Sequence, residues 1–371
     1  MNKNKLIPQL RFPEFKNEGE WEENELGYCL DYLQPTPFLV SSTSYNNSFK
    51  TPVLTAGKTF VLGYTNEVEG VFEDNLPVII FDDFTTASKY VDFPFKAKSS
   101  AMKILLSKND INIKFMYELM QMIGYEVSVH ERHWISIFSR LKVAIPKTPE
   151  QLKIASFLSA LDDVISAHKQ KLDVLEDHKK GLLQSLFPQE GETVPKYRFS
   201  EFVNDGDWVK KSFEELFVIG NGRDYKHLDK GHIPVYGSGG YMLSINDYLY
   251  DGESVCIGRK GTINKPMFLN GKFWTVDTLF YTHSFNDCSP KFIFYIFENI
   301  NWLKHNEAGG VPSLSKANIY KLETLIPESK EQQKIVFCLS SLDDLITAQT
   351  KKIEQLILHK RGLMQRLLPK S

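Results

Sequence analysis

Glycine-rich turns that also carry Arg, Lys, Ser or Thr recur in the second half of this sequence. They lie at residues 222–227, 237–241 and 258–262. Glycine lets the backbone approach a phosphate or a base edge closely. Arg and Lys neutralise phosphates or pair with guanine in the major groove, and Ser and Thr also hydrogen-bond DNA. These turns therefore supply the candidate DNA-contacting residues of this half: Arg223, Lys226, Ser238, Gly239, Gly240, Arg259, Lys260, Gly261 and Thr262.

Similar polar turns occur in the first half, at residues 55–58, 85–89 and 98–100. This half has no counterpart of the Ile-Gly-Arg-Lys-Gly sequence at 257–261, so base contacts are less strongly indicated there. In both halves the alternative is that the turns are solvated surface loops with no role in binding. The candidate residues of the first half are Lys58, Thr85, Thr86, Ser88, Lys89 and Lys98.

Familiar catalytic motifs are absent from the sequence. The glycines at 220–222 and 237–240 lack the spacing and the βαβ setting of a dinucleotide-binding loop, and no phosphate-binding GxxxxGK[ST] motif occurs. His130 and His133 are three residues apart, whereas the zinc-protease helix needs histidines four apart. We therefore predict no catalytic residue, no metal site and no cofactor in this chain.

Two internal repeats must position the candidate turns. Residues 145–188 and 326–369 align without a gap at a constant shift of 181, and about half of the aligned positions are identical. Shorter entry segments, Pro8–Trp21 and Pro195–Trp208, align at a shift of 187. Each half thus consists of an entry segment, a divergent block and a repeated helix. The predicted segments are 1–148 and 195–327 as recognition domains, 149–194 as a central helix with linker, and 328–371 as a C-terminal helix.

Both repeated helices carry a heptad pattern of apolar residues, which is typical of a coiled coil. The pattern is interrupted at matching places by His168 and Gln349, and again by Lys179 and Lys360. Such polar residues either fix register and partner or lie at a wet edge. The apolar positions are Ile154, Leu158, Leu161, Ile165, Leu172, Leu175 and Leu182 in the first helix, and Ile335, Leu339, Leu342, Ile346, Ile353, Leu356 and Leu363 in the second.

Other repeated residues of the helices have a structural interpretation. The paired carboxylates Asp162-Asp163 and Asp343-Asp344 are expected on a solvated helix face or against a partner subunit. Gly181 and Gly362 cost roughly 1 kcal/mol each against alanine. Their recurrence suggests a close helix approach or a bend, and a tolerated flaw is the alternative.

The divergent blocks mix short β-like runs with a helical stretch, as at residues 76–81 and 113–122. This composition predicts irregular α+β domains with a twisted sheet. The aromatic residues of the entry segments, such as Trp21 and Trp208, are interpreted as core anchors rather than as platforms for stacking bases. The predicted fold class is α+β, with two globular domains joined and separated by two long antiparallel coiled-coil helices and a pseudo-two-fold repeat.

Composition sets the broad class of the protein. The chain has 371 residues, 42% of them hydrophobic, with a net charge of −2 and four widely spaced cysteines. We expect a cytoplasmic protein, without signal peptide, membrane span or disulfide framework. Residues 149–194 carry 5 basic and 8 acidic side chains, giving −3, whereas residues 328–371 carry 8 and 5, giving +3. These opposite charges favour pairing of the two helices with each other.

The sequence resembles the specificity subunit of type I restriction–modification systems over essentially its whole length. The repeated helices carry the resemblance most strongly, through the shared EQ, LDD, HK and GL elements of residues 145–188 and 326–369. In the second block, PVYGSGG at 234–240 and the stretch from IGRKGT to DTLFY at 257–281 look like recognition-domain sequence. The corresponding stretches of the first block are PVLTAGK at 52–58 and LPVIIFDDFTTASKY at 76–90.

This resemblance implies a non-catalytic subunit that binds double-stranded DNA, with each domain reading one half of an interrupted site. The antiparallel helices would set the spacing and dock the partners. Two modification subunits would methylate adenine with S-adenosylmethionine, and restriction subunits using ATP and Mg²⁺ would complete the assembly.

Two other functions are weighed against this one. A self-sufficient methyltransferase or nuclease would need an (N/D)PP(Y/F) loop, which the sequence lacks. A coiled-coil adaptor whose blocks bind protein would show no steep dependence of DNA binding on salt. The recognised bases, the spacer length and the presence of a restriction subunit are not encoded in these patterns.

Overall fold

The computed structural model of the protein describes residues 6–57, 59–108, 110–124 and 133–369. Contacts divide the chain into two compact units. The first unit comprises Met1–Lys169 and Lys351–Ser371, and the second comprises Gln170–Thr350. Each unit therefore holds one divergent block, the first part of the helix that follows it and the last part of the other long helix.

The first unit contains nine strands and four helices within its described residues. The strands are β1 (Glu22–Glu25), β2 (Leu30–Leu33), β3 (Thr51–Leu54), β4 (Val61–Thr65), β5 (Val78–Asp82), β6 (Ser88–Val91), β7 (Lys96–Ala97), β8 (Met102–Ser107) and β9 (Lys142–Ile145). The helices are α1 (Leu26–Cys29), α2 (Ile113–Met120), α3 (His133–Ser136) and the start of α4 (Thr148–Leu186).

The second unit repeats this order of elements with one additional strand. Its strands are β10 (Val209–Ser212), β11 (Val218–Asn221), β12 (Lys230–Gly237), β13 (Gly240–Ile245), β14 (Tyr250–Asp251), β15 (Ser254–Gly258), β16 (Met267–Leu269), β17 (Lys272–Thr275), β18 (Leu279–His283) and β19 (Glu323–Ile326). Its helices are α5 (Phe213–Leu216), α6 (Pro290–Asn299), α7 (Lys316–Tyr320) and the start of α8 (Ser329–Leu367).

Sheet topology shows that the duplication extends through the divergent blocks. The first unit has a four-stranded sheet of order β2-β8-β5-β6, and the second has β11-β18-β15-β16, antiparallel throughout. A further sheet, β4-β3-β7 in the first unit and β13-β12-β17-β14 in the second, contains one parallel pair in each. The two blocks therefore share one fold, although their sequences have diverged.

In each antiparallel four-stranded sheet, one central strand, β5 or β15, is buried on both faces. In β5 the side chains of Ile79 and Phe81 join the core that contains α2, and those of Val78 and Ile80 join the core on the opposite face. Alternation along a strand sends successive side chains to opposite faces, so a continuous apolar run is what a strand between two cores requires. The run at residues 76–81 was thus correctly assigned to a strand.

The helix that covers each sheet begins at a capped residue held by the long helix. Asn112 caps α2 and Ser289 caps α6, each by accepting a backbone N–H three residues later. The side chain of Gln151 accepts the backbone N–H of Asn112 at 2.8 Å, and Gln332 accepts that of Ser289 at 3.0 Å. The repeated glutamines therefore fix the same junction in both units.

The heptad positions of α4 and α8 are buried or half-buried along their length, as predicted. Ile154 and Leu158 enter the first core, which also includes Met364 and Leu367 from the end of α8. Ile335 and Leu339 enter the second core together with Leu183 and Leu186 from the end of α4. The two helices therefore complete each core jointly.

The lysines that interrupt the apolar pattern form partly buried ionic networks. In the first unit, Lys360 Nζ lies 2.6 Å from Asp162 Oδ1 and 3.0 Å from Glu118 Oε1. In the second unit, Lys179 Nζ lies 2.7 Å from both Asp343 Oδ1 and Glu298 Oε2. Lys179 lies 17 residues after Asp162, and Asp343 lies 17 residues before Lys360, so the pairing is antiparallel.

These networks correct the expectation for the paired carboxylates. Asp162 and Asp343 are engaged by lysines, whereas Asp163 and Asp344 are exposed. Burial alone would lower the pKa of Lys179, but its hydrogen bonds to Asp343 and Glu298 more than offset burial and raise that pKa. The lysines therefore act as charged register points between the helices.

The repeated glycines of the helices do not mark a close approach. A β-carbon added to Gly181 or Gly362 would meet no atom within 4 Å, and both helices continue through these positions. The expectation of close packing was wrong, and alanine would fit at both sites.

Each entry segment is tied to its unit by a buried arginine that the sequence analysis did not identify. Arg11 donates from Nε and Nη2 to the Glu150 carboxylate at 2.8 and 2.7 Å. Arg198 does the same to Glu331 at 2.9 and 2.8 Å. Trp21 and Trp208 are buried nearby in the two cores, as predicted.

The end of each long helix contacts an entry segment. In the second unit, the backbone N–H of Tyr197 donates to the carbonyl of Ser185 at 2.9 Å. In the first unit, Leu10 donates to Arg366 at 2.8 Å in the equivalent way. The first contact joins segments linked by a short connection, whereas the second joins the two ends of the chain. Within the described residues, no helix is long and apolar enough to span a membrane.

Candidate nucleic-acid interface

The turn after β15, Arg259–Thr262, is termed the reading turn. A β-carbon on Gly258 would lie 2.1 Å from the carbonyl oxygen of Thr262, so the reversal requires glycine. Gly261 has φ +88°, a conformation that glycine adopts without strain. The backbone N–H of Arg259 donates to the carbonyl of Thr278 at 2.8 Å, and the side chains of Arg259 and Lys260 are exposed. The turn is thus rigid in its backbone and open at its side chains.

The structure brings the other second-block candidates close to the reading turn. Ser238 Oγ lies 3.2 Å from where a β-carbon of Gly261 would stand. Lys226, Ser238, Gly239 and Gly240 line one cleft of about 690 Å³, which also includes Thr278. The three glycine-rich turns of this half therefore form one surface.

Arg223 is held on the same surface by its backbone. Its N–H donates to the carbonyl of Thr275 at 2.8 Å, and its own carbonyl accepts the indole N–H of Trp274 at 2.8 Å. Gly222 beside it has Val276 O only 1.8 Å from the position of a β-carbon. The side chain of Arg223 is exposed, so it is free to meet a ligand.

Replacing Gly222 by alanine is expected to destabilise the second unit by about 1–3 kcal/mol, because a rigid backbone carbonyl occupies the space of the new methyl group. The measurement is the urea midpoint of that unit. Gly239→Ala is the matched control, since nothing lies within 4 Å of its β-carbon position. Equal midpoints for the two variants would contradict the close contact.

The cations of this surface lack acidic partners. Within the described residues, Arg223, Lys226, Arg259 and Lys260 take part in none of the ion pairs, whereas Lys179, Arg198 and Lys211 of the same unit are paired. Burial, followed by the nearby charge of Arg259, lowers the pKa of Lys316. Asp224 and Asp277 also line the cleft, so the positive charge lies on the exposed Arg and Lys side chains of the turns, which are suited to phosphate groups.

The first unit also has a turn at the position of the reading turn, and it includes the predicted candidates Thr85 and Thr86. It spans Asp82–Thr86, where the N–H of Thr86 donates to the carbonyl of Asp82 at 2.9 Å and Thr86 has φ +61°. Asp82 Oδ1 accepts the N–H of Phe84 at 2.9 Å. The Ile-Gly-Arg-Lys-Gly sequence is absent from this half, and a carboxylate-capped turn takes the place of the glycine-containing one.

The chemistry at the equivalent position differs between the units. Backbone hydrogen bonds match Asp83 with Arg259. Each N–H donates to the residue just before the opposite strand, Ala101 or Thr278, and each carbonyl accepts from a residue at or shortly before the start of a short helix, His133 or Leu314. The Asp83 carboxylate is buried 3.5 Å from Lys103 Nζ. The first turn thus presents hydroxyl groups where the second presents cations.

The remaining first-block candidates are placed variously. Thr85 and Lys89 are exposed, and Ser88 accepts a hydrogen bond from Gln121 at 2.8 Å. Lys98 is half-buried, with its ammonium 5.8 Å from the centre of the Tyr45 ring. Lys58 lies outside the described residues, as do His130, Glu131 and Arg132. Among the described residues no cluster of His, Cys, Asp or Glu could hold a metal ion.

The sequence analysis overlooked a second loop that lies against the reading turn. The carbonyl of Pro312 accepts the N–H of Gly261 at 2.9 Å, and Leu314 donates to the carbonyl of Arg259 at 2.9 Å. The Gly309-Gly310 pair in this loop follows the same compositional rule as the other turns and could have identified it. Its relation to the reading turn could not be read from the chain.

The protein thus consists of two α+β units of the same fold, each completed by parts of both long helices, and the second carries exposed Arg and Lys side chains on glycine-rich turns. A family model, the type I restriction modification DNA specificity domain, matches residues 2–177 and 205–358. The chain belongs to this family and has two recognition domains, as predicted.

Individual relatives agree with this assignment. The chain is 31% identical to the Escherichia coli type I restriction enzyme EcoR124I/EcoR124II specificity subunit, over 90% of this chain and 89% of that one. It is 24% identical to the Methanocaldococcus jannaschii MjaVIII specificity subunit over 62% of each chain. The crystal structure of a type I restriction–modification S subunit from M. genitalium shares the fold, with a TM-score of 0.68, 14% identity and coverage of 98% of this chain and 100% of that one.

Proposed function

We propose that the second unit reads one half of a bipartite DNA site through the reading turn and its neighbours, and that the first unit reads the other half through Asp82–Thr86. The observation that carries this proposal is that Arg223, Arg259 and Lys260 are exposed, form no ion pair among the described residues and lie on neighbouring glycine-rich turns. Arg and Lys pair with the O6 and N7 atoms of guanine. The unlike chemistry of the two turns would give unlike half-sites.

Replacing Arg259 by alanine is expected to weaken binding by about 1–3 kcal/mol and to relax one position of one half-site. The variant would be assembled with modification subunits, and its methylated motif would be read by sequencing genomic DNA. Lys265→Ala removes a positive charge from the same β15–β16 connection and serves as control. Equal loss at both half-sites, or an unchanged motif, would exclude base contact by Arg259.

We further propose that two copies of a modification subunit dock on equivalent surfaces of the two units. A cleft of about 500 Å³ in the first unit is lined by Arg11, Trp21 and Gln151. A cleft of about 770 Å³ in the second is lined by their counterparts Arg198, Trp208 and Gln332. Two basic and four acidic side chains line each cleft. The two clefts have matching residues, whereas the turns after β5 and β15 differ. Two copies of the same partner could therefore bind the two clefts.

Exposed apolar residues on the long helices support docking there too. Leu152 and Leu358 are 51% and 70% exposed in the first unit, and Phe337 is 72% exposed in the second. Apolar side chains left outside the helix pair are available to a partner. In the proposed assembly this chain is a cytoplasmic, non-catalytic subunit without its own cofactor. Modification subunits would supply S-adenosylmethionine chemistry, and restriction subunits would supply ATP- and Mg²⁺-dependent steps.

The helices would also set the length of the spacer between the half-sites. Each helix has 39 residues, which at 1.5 Å per residue is ~58 Å. The ion pairs of Lys179 and Lys360 would keep the two helices in one alignment, so that the distance set by the helices does not vary.

A further inference from the structure

The loop Asn306–Ser313 is joined to the reading turn as a second strand of a narrow ribbon. Gly261 donates to the carbonyl of Pro312, Lys260 and Ser313 form a β-bridge, and Leu314 donates to Arg259. Because these contacts are made by backbone atoms, the loop and the reading turn must move together. Whatever the reading turn approaches, the loop approaches as well.

The loop is also closed upon itself. Asn306 Oδ1 accepts the N–H groups of Ala308 at 3.1 Å and Ser313 at 2.9 Å. The N–H of Glu307 donates to the carbonyl of Ser313 at 3.0 Å, and the Glu307 carboxylate accepts the N–H of Ser315 at 2.7 Å. A loop of this kind presents its tip in a fixed position, which lowers the entropy lost on binding.

The tip of the loop presents an apolar side chain between small neighbours. Val311 is 66% exposed, and β-carbons on Gly309 and Gly310 would meet nothing within 4 Å. A single exposed valine is ordinary on a protein surface. The position of Val311 on a rigid ribbon is what distinguishes it, because the major groove of DNA admits a two-stranded ribbon. The apolar group that the bases present in the major groove is the thymine methyl group.

Lys316 stands at the base of the loop, near the positive charge of Arg259. Its ammonium donates to the carbonyl of Ile219 at 2.6 Å and lies 5.9 Å from the centre of the Phe280 ring. Lysine has three donors, so two remain. No acidic side chain pairs with it in the described part of the chain, and Arg259 and His283 lie within its electrostatic reach.

We propose that the segment from Asn306 to Lys316 is a second DNA-reading element of the second unit, in which Val311 contacts a thymine methyl group and Lys316 a backbone phosphate. This inference rests on the proposed function. The two contacts differ in kind, because base contacts carry sequence information and phosphate contacts do not. Each therefore has its own readout.

Val311→Ala is expected to lower the preference for thymine at one position of the second-unit half-site by about ten-fold. The other half-site and the spacer should stay the same. The measurement is the methylated motif made by the complex with modification subunits. Leu303→Ala is the matched control, since Leu303 is 56% exposed just before the loop. An unchanged motif in Val311→Ala would overturn the base contact.

Lys316→Gln is expected to weaken binding to all sequences and to reduce the slope of log affinity against log salt by about 1. Lys316→Arg should keep the slope, and Lys304→Gln, which removes an exposed charge outside the loop, should leave it unchanged. An unaltered slope in Lys316→Gln would overturn the phosphate contact. A wild-type complex that methylates no bipartite motif would refute the proposed function instead, so the two failures are distinguishable.

Discussion

Replacing Arg198 by alanine is expected to destabilise the second unit by about 3–5 kcal/mol, the largest loss of stability predicted for a single substitution in this protein. The Glu331 side chain is 1% exposed and receives both of its close hydrogen bonds from Arg198. Removing one partner of a buried ion pair leaves an uncompensated charge. Arg198 Nη1 also donates to the carbonyls of Asp205 and Gly206 at 2.8 and 3.0 Å. The entry segment would lose its attachment.

The loss can be localised by hydrogen exchange read by mass spectrometry across a urea series, with peptides assigned to each unit. Peptides of the second unit should lose protection first, while those of the first should retain theirs. Arg198→Met combined with Glu331→Leu should recover much of the loss, because no lone charge remains. Lys210→Ala, which breaks an exposed pair with Glu323, should have little effect. Uniform loss of protection in both units would contradict this account.

Lengthening both long helices by seven residues is expected to lengthen the spacer of the recognised DNA by about three base pairs. Seven residues at 1.5 Å each add ~10.5 Å, and one base pair spans 3.4 Å. Seven residues also preserve the heptad phase. Insertions between residues 169 and 170 and between 350 and 351 fall where the chain passes from one unit to the other, so contacts within each unit are kept.

The measurement is again the methylated motif of the assembled complex. Both half-sites should retain their bases while the number of unspecified positions between them increases. A seven-residue insertion in α4 alone is the control. It should abolish DNA methylation by the assembled complex, because the two helices no longer match in length. A changed half-site, or an unchanged spacer in the double insertion, would refute the proposal that the helices set the spacing.

Residues whose role depends on local periodicity were predictable from the sequence. Ile154 and Leu158 follow the heptad pattern and are buried, and Trp208 was correctly interpreted as a core anchor. The pairing of Arg198 with Glu331 was not predictable, because 133 residues separate them and no local pattern links an entry segment to a helix start. Asp162 looked solvated since its partner Lys360 lies 198 residues away.

The residues of the candidate site likewise include some that were predictable from local sequence and others that were not. The turn at Arg259 was found from glycine and basic residues in one short stretch. The turn at Asp82–Thr86 was found only in part, through Thr85 and Thr86, because a side-chain carboxylate can cap a turn and leave no glycine signature at its start. The loop before Leu314 was missed because its importance comes from backbone contacts with a turn about fifty residues earlier.

The composition of the first unit has a consequence for the order of folding during synthesis. Its core needs Met364, Leu367 and Leu368, which belong to the last 21 residues of the chain. The second unit needs nothing beyond Thr350. Domains generally fold as their residues leave the ribosome. We therefore expect the core of the first block to remain incomplete until residues 364–368 have been synthesised, by which point every residue of the second unit has been made.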